Sequence, residues 1–314
     1  MSGEVEPASE LTPELRAFVE FVAKKGRELY RDLPWRRTYD PYAIWISEVM
    51  LQQTQVSRVD GRWQRWLERF PTVDALAAAA PSDVLEEWQG LGYNRRALSV
   101  HRAAQAISEA GGVFPQDQKE LVKLPGIGPA TAAGIRAFAF NLHGVYLETN
   151  VRTVFLHELY PQAEGVPDSE LVPLVELTCP ASVVGSASTA DAAGVDEAAV
   201  VSTAELTPRS WYYALLDYGA YLKKTIPNPS RRSKSHVKQS RFEGSHRQKR
   251  AELLRVLLAH KDDGGAEFET LHQELCQIEV NAGRETLDEQ VTLGLLEELA
   301  KEGFCQKNDE YWMP

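Results

Sequence analysis

"LPGIGPATAAG", residues 124–134, decides the fold. A leucine, a proline and two glycines one residue apart lead into a helix start. Gly126 and Gly128 permit a tight turn with little side-chain bulk. The backbone N–H groups of that turn, with the helix N-terminus behind them, can hold a phosphate. A turn of this kind between two helices grips a nucleic-acid backbone without reading its sequence. The same G-x-G turn also suits a plain interhelical connection.

Outward from this turn the apolar spacing is helical. It predicts helices over 12–30, 41–58, 60–70, 73–79, 82–88 and 95–111, a short one in "DQKELVKL", and more in "TNVRTVFLHELY" and "SWYYALLDYGAYLKK". "DLPWRRTYDPY" is a loop in which Asp40 can cap the next helix. No strand pattern precedes residue 300. Residues 179–207, rich in Ala, Ser, Val and Gly, read as an insertion between two helices. "HRQKRAELLRVLLAH", "FETLHQEL" and "TLDEQVTLGLLEELAKEG" are helices, and "FCQKNDEYWMP" is two extended pieces around an Asn-Asp turn. Three helices and a hairpin make a winged-helix pattern. Its acidic last helix suits docking better than a DNA groove.

With 314 residues, 43% apolar and 25% charged, the chain has the composition of a globular protein. No apolar stretch is long enough to span a bilayer. The acidic start "MSGEVEPASELTPELR" is no secretory signal, so a cytoplasmic chain is expected. Cys179, Cys276 and Cys305 are too far apart for a disulfide framework, zinc finger or iron–sulfur spacing. The net charge of −11 argues against nucleic acid, but Lys223 to Arg250 holds ten Lys/Arg against the single acid Glu243. That stripe is either a phosphate-binding element or a solvated basic linker.

"WISEVMLQQTQV", residues 45–56, carries an awkward acid. Ile44 and Leu51 share the helical face of Glu48. Burying a carboxylate between them is costly. Either the face is exposed, or the protein uses a carboxyl of unusual proton affinity there.

Together with "LPW" (33–35), "GLGYNRRA" (90–97), "LPGIGPAT" (124–131) and "LETNVRTV" (147–154), this stretch resembles the helix-hairpin-helix DNA glycosylases. The closest likeness is to the A/G-mismatch adenine glycosylases of MutY type, from about residue 15 to 225. The resemblance implies an all-α fold: a two-lobed helix-hairpin-helix glycosylase core over 1–235, then a basic linker and the winged-helix-like α+β module over 236–314. It implies a monomer acting on double-stranded DNA with a mispaired or damaged base, associated with the nucleoid, with no membrane partner. The base is flipped out of the duplex into a pocket. Glu48 is then the general acid on the adenine N7 and later activates water, while Glu148 stays ionised and stabilises the oxocarbenium-like sugar. Asn150 orients the carboxylates. Glu148 stands where the family usually has Asp, and it also suits a helix N-terminus by charge alone.

By the same resemblance Gln52 and Tyr93 wedge into the base stack and Gln53 lines the adenine pocket. Trp35 packs beside that pocket or in the core. Gly126, Gly128, Thr131, Arg95 and Arg96 take DNA phosphates, the two arginines being alternatively surface salt-bridge partners. Relatives that also cut the backbone use a lysine at the position of Ala130, so a monofunctional enzyme with no AP-lyase activity is expected. Four cysteines usually follow "DLGA" and hold a [4Fe–4S] cluster. Here "DYGAYLKKTIPNPS" follows Asp217, with Lys223 in the first cysteine's place, so no cluster, other cofactor or metal is expected. The module that senses 8-oxoguanine is not recognisable. A different excised base, or a DNA-binding protein that has lost catalysis, are the competing readings.

Overall fold

Prolines and capping side chains set many of the helix starts. Thr12, Asp117, Thr207, Ser245 and Asp288 each accept a backbone N–H of the first turn. Proline opens several helices, where its missing N–H costs nothing. Asp40 Oδ1 accepts the Tyr42 N–H at 3.0 Å, as its place in the loop suggests. The computed structural model describes residues 11–182, 206–235 and 241–314. The first ten residues, most of the 179–207 insertion, and Lys238 of the basic stripe lie outside the described residues.

The helices are α1 (Pro13–Glu28), α2 (Pro41–Leu51), α3 (Val56–Val59), α4 (Arg62–Arg69), α5 (Val73–Ala77), α6 (Pro81–Glu87), α7 (Arg95–Glu109) and α8 (Gln118–Leu121). After the glycine turn come α9 (Pro129–Phe140), α10 (Thr149–Glu158), α11 (Asp168–Thr178) and α12 (Pro208–Thr225). The C-terminal part holds α13 (His246–Ala259), α14 (Phe268–Asn281) and α15 (Glu289–Glu302). Strands β1 (Ala266–Glu267), β2 (Gln306–Asn308) and β3 (Tyr311–Met313) form an antiparallel sheet in the order β1-β3-β2. This is the winged-helix order of elements.

Two expectations are corrected. The helix expected over 41–58 ends at Leu51, because Gln53 takes a left-handed backbone (φ 54°) and a separate turn, α3, follows. β1 breaks the expectation of no strand before residue 300. A two-residue strand has no periodicity to read, and only its pairing with Tyr311 and Trp312 creates it. The helix α11, with Pro173 inside it, has no counterpart in the sequence reading.

The chain divides into two units. One comprises residues 1–48, 115–123 and 127–237; the other comprises 49–114, 124–126 and 238–314. The division does not follow the linear one at 235, since the C-terminal module clusters with 49–114. In the first unit, α12 packs on α10 and α1 around Phe18, Phe138, Phe155, Trp211 and Tyr212. A buried Asp217 accepts both guanidinium ends of Arg36 at 2.7 and 2.9 Å and Arg31 Nε at 2.5 Å. This ties the "DLPWRR" loop to α12. In the second unit, Trp66 meets Trp88 and Phe70 edge-on. There α13 packs against α6, α14 and α15, burying Leu253, Leu254 and Leu257.

Candidate active site

The first unit holds the two carboxyls. Glu48 lies on α2 with some accessible surface left. The α9 backbone passes so close at Gly134 that a Cβ there would run into Glu48 Oε2 and lie 2.9 Å from the Tyr146 ring. The Tyr146 hydroxyl donates to Glu48 Oε2 at 2.9 Å. Burial pushes the Glu48 carboxyl up to about 8, with the Tyr146 hydrogen bond and Arg36 opposing and the charge of Glu148 reinforcing. Of the two sequence alternatives for Glu48, the structure takes the second: a carboxyl that holds its proton near neutral pH.

Glu148 is the N-cap of α10. Its Oε1 accepts the N–H groups of Asn150 at 2.7 Å and Val151 at 3.3 Å. The extra methylene relative to Asp is absorbed by folding the side chain back onto the helix end. The second carboxyl oxygen stays outside the cap. Burial raises this carboxyl too, opposed by the two cap N–H groups, Lys223 and Arg152. Four groups favour its charged form, against two at Glu48. Asn150 joins the cluster, with its N–H on Glu148 and its Oδ1 accepting from Lys223 Nζ at 3.1 Å.

Tyr146 and Lys223 were not among the sequence candidates. Residues 141–148 form a connection without regular secondary structure before α10, opened by Asn141 in a left-handed conformation. Tyr146 is fixed by its own N–H, which donates to the Tyr212 hydroxyl at 3.1 Å, and by edge contacts to Phe138 and Tyr212.

The second unit brings the two wedge candidates together. Gln52 is half-buried and Tyr93 is exposed with a left-handed backbone (φ 51°), a conformation that costs a bulky residue on the order of 1–3 kcal/mol. Arg96 holds both segments. Its guanidinium donates to the carbonyls of Val49 at 2.6 Å and Gln52 at 2.8 Å, and to those of Gly92 at 2.8 Å and Leu91 at 3.2 Å. It also lies over the rings of Trp88 and Tyr93. The two terminal nitrogens of this guanidinium are occupied by protein groups, so Arg96 braces the two wedge segments. Arg95 takes the salt-bridge alternative, its Nε and Nη2 on Glu302 at 2.6 and 2.5 Å. Gln53 is exposed in its left-handed position. Trp35 is a buried core residue.

At the hairpin Gly126 has φ +76°, and a Cβ there would come 2.6 Å from Ser99 Cβ. Gly128 caps α9 with an ordinary φ of −84° and has open space where a Cβ would project. Gly128, Pro129 and Ala130 are exposed, so the start of α9 is open to a phosphate. Thr131, in the first turn of α9, is buried.

Residues 46–198 match the family described as HhH-GPD superfamily base excision DNA repair protein. The adenine DNA glycosylase of Mycobacterium tuberculosis is 35% identical over 260 residues, covering 78% of this chain and 78% of the relative. The chain belongs to the HhH-GPD superfamily, on its adenine DNA glycosylase branch. The adenine DNA glycosylase of Mycolicibacterium smegmatis is 43% identical over 152 residues. That match covers 48% of this chain, and the chain spans about half, 52%, of that relative's length. A thermostable thymine-DNA glycosylase structure superimposes with a TM-score of 0.54 at 20% identity, covering 69% of this chain and 90% of that one. It shares the fold.

The cluster-bearing members of this branch need four cysteine thiolates in one loop. The residues present do not fit that group. The chain has three cysteines: Cys179 at the end of α11, Cys276 on α14 and Cys305 after α15, the first and last buried. Among the described residues no His, Cys, Asp and Glu gather to hold a metal ion.

Proposed function

We propose that the chain is a monofunctional DNA glycosylase that flips adenine mispaired with 8-oxoguanine or G and hydrolyses its N-glycosidic bond. The observation that carries this is the unequal carboxyl pair: Glu48 held near pKa 8 by burial, and Glu148 capped by a helix N-terminus. Protonated Glu48 donates to the adenine N7, which makes the purine a leaving group. The positive end of α10 keeps Glu148 anionic to face the oxocarbenium-like sugar. Glu48, now a carboxylate, takes a proton from the attacking water. Gln52 and Tyr93 fill the gap left by the flipped base. Gly126 and Gly128 carry the backbone phosphates on the start of α9. Ala130 provides no amine for an imine, so no strand cleavage accompanies base release. The protein works without an iron–sulfur cluster, in contact with chromosomal DNA in the cytoplasm.

The test is single-turnover base release from a duplex panel: adenine opposite 8-oxoguanine, adenine opposite G, uracil, hypoxanthine and alkylated purines. Adenine release with a negative borohydride trap and iron-free protein is the expected result. Release only from the other duplexes would move the reading to a different base.

A further inference from the structure

We infer that Lys223 belongs to the active site as a positioning residue: it braces Asn150 and brings a positive charge to the Glu148 carboxylate. The inference rests on the glycosylase reading for the reaction, though not for the contact. Helix α12 approaches α10 as closely as backbones allow. A Cβ at Gly219 would run into the Asn150 carbonyl oxygen and lie 2.7 Å from its carbonyl carbon. Lys223 follows Gly219 by four residues, so both share a face of α12. From there Nζ reaches Asn150 Oδ1 at 3.1 Å. Asn150 is thus held at two points, its N–H on Glu148 and its side chain on Lys223.

The charged and titratable groups bearing on Glu148 are Lys223 from α12, Arg152 from α10, Glu48 from α2 and Tyr146 from the preceding segment. The Glu148 charge in turn pushes the Glu48 carboxyl and the Tyr146 hydroxyl up. Arg152 is committed to Asp168, bidentate at 2.9 and 2.8 Å. Lys223 instead donates to a neutral amide, so its charge is left to act on the carboxylate. A surface lysine on an amide does little for stability, but a cation beside a partly desolvated carboxylate selects its charged form.

The experiment uses the full chain with Lys223→Met and Lys223→Arg. Carboxyl 13C titration of Glu148 in the DNA-free protein, assigned with Glu148→Gln, reads the charge effect without turnover. Lys223→Met is expected to raise the midpoint by about one pH unit. It should also lower single-turnover release about tenfold on the acid side of the profile, where Glu148 protonates. Lys223→Arg should restore both. A midpoint that does not move, with loss confined to DNA affinity and its salt dependence, would make Lys223 a phosphate contact and overturn the inference. If the midpoint moves while wild type releases no adenine, the substrate reading fails and the role of Lys223 stands.

Discussion

Glu48 shows how one residue carries opposed demands. Burial holds its folded-state pKa near 8, well above the ordinary carboxyl value. A group raised in this way stabilises the fold fully below its unfolded pKa and loses that contribution as pH rises through about 8. Glu48→Gln never ionises. Its thermal midpoint should exceed wild type at pH 8.5 by the equivalent of roughly 4 kcal/mol and match it near pH 4, while base release falls about 10²–10⁴-fold. Calorimetry at the two pH values and single-turnover assays check both halves. Tyr146→Phe removes the hydrogen bond that lowers the Glu48 pKa. The alkaline limb of base release should move to higher pH, with melting little changed because the ring packing survives. A pH–rate profile decides it. The helical spacing of Ile44, Glu48 and Leu51 made the acid legible. Its hydroxyl partner lies 98 residues away, and no local pattern connects the two.

The elements that carry the wedge and the hairpin are set by close backbone approaches. Arg96→Ala would strip the carbonyls of Val49, Gln52, Leu91 and Gly92 of a charged donor. A loss of about 3 kcal/mol in urea unfolding is expected, with slower base extrusion in stopped-flow 2-aminopurine fluorescence. The two hairpin glycines should separate cleanly. Gly126→Ala meets both a positive φ and Ser99, and should cost on the order of 2 kcal/mol. Gly128→Ala meets neither and should leave stability within about 0.5 kcal/mol. Its new methyl stands where a phosphate would approach the α9 N-terminus, so DNA affinity should drop. Denaturant melts and DNA titrations compare the pair. The G-x-G turn was plain in the sequence. That only its first glycine is required by conformation was not, because φ and the nearness of Ser99 are set by how the chain folds around them.

At the scale of the whole molecule the charge distribution needs rereading. The stripe from Lys223 to Arg250 holds ten cations, but several are engaged within the protein. Arg232 donates to the Leu156 carbonyl at 2.7 Å and to that of Tyr160, Arg241 pairs with Glu243, and Arg250 reaches Glu302 at 2.8 Å. The C-terminal module docks within its own unit through Lys261 on Asp83 at 3.0 Å and on Glu86, and through Glu302 on Arg95. The two arginines hold the Glu302 carboxyl down at about 2. Glu302→Gln should release Arg95 toward phosphate. The slope of log affinity against log salt should steepen by about one contact, which DNA binding at several salt concentrations would show.

By itself the sequence determined the helical class, the hairpin, the three C-terminal helices with their closing pair of strands, and the acid on α2. Each of these is written in local spacing, in turn chemistry, or in motifs of a few residues. Only the tertiary structure decided that Tyr146 and Lys223 stand at the carboxyl pair, that Arg96 faces inward and that residues 238–314 join 49–114. Those depend on groups far apart in the chain meeting at atomic distance, and burial, which only the packed fold creates, sets the proton affinity of Glu48.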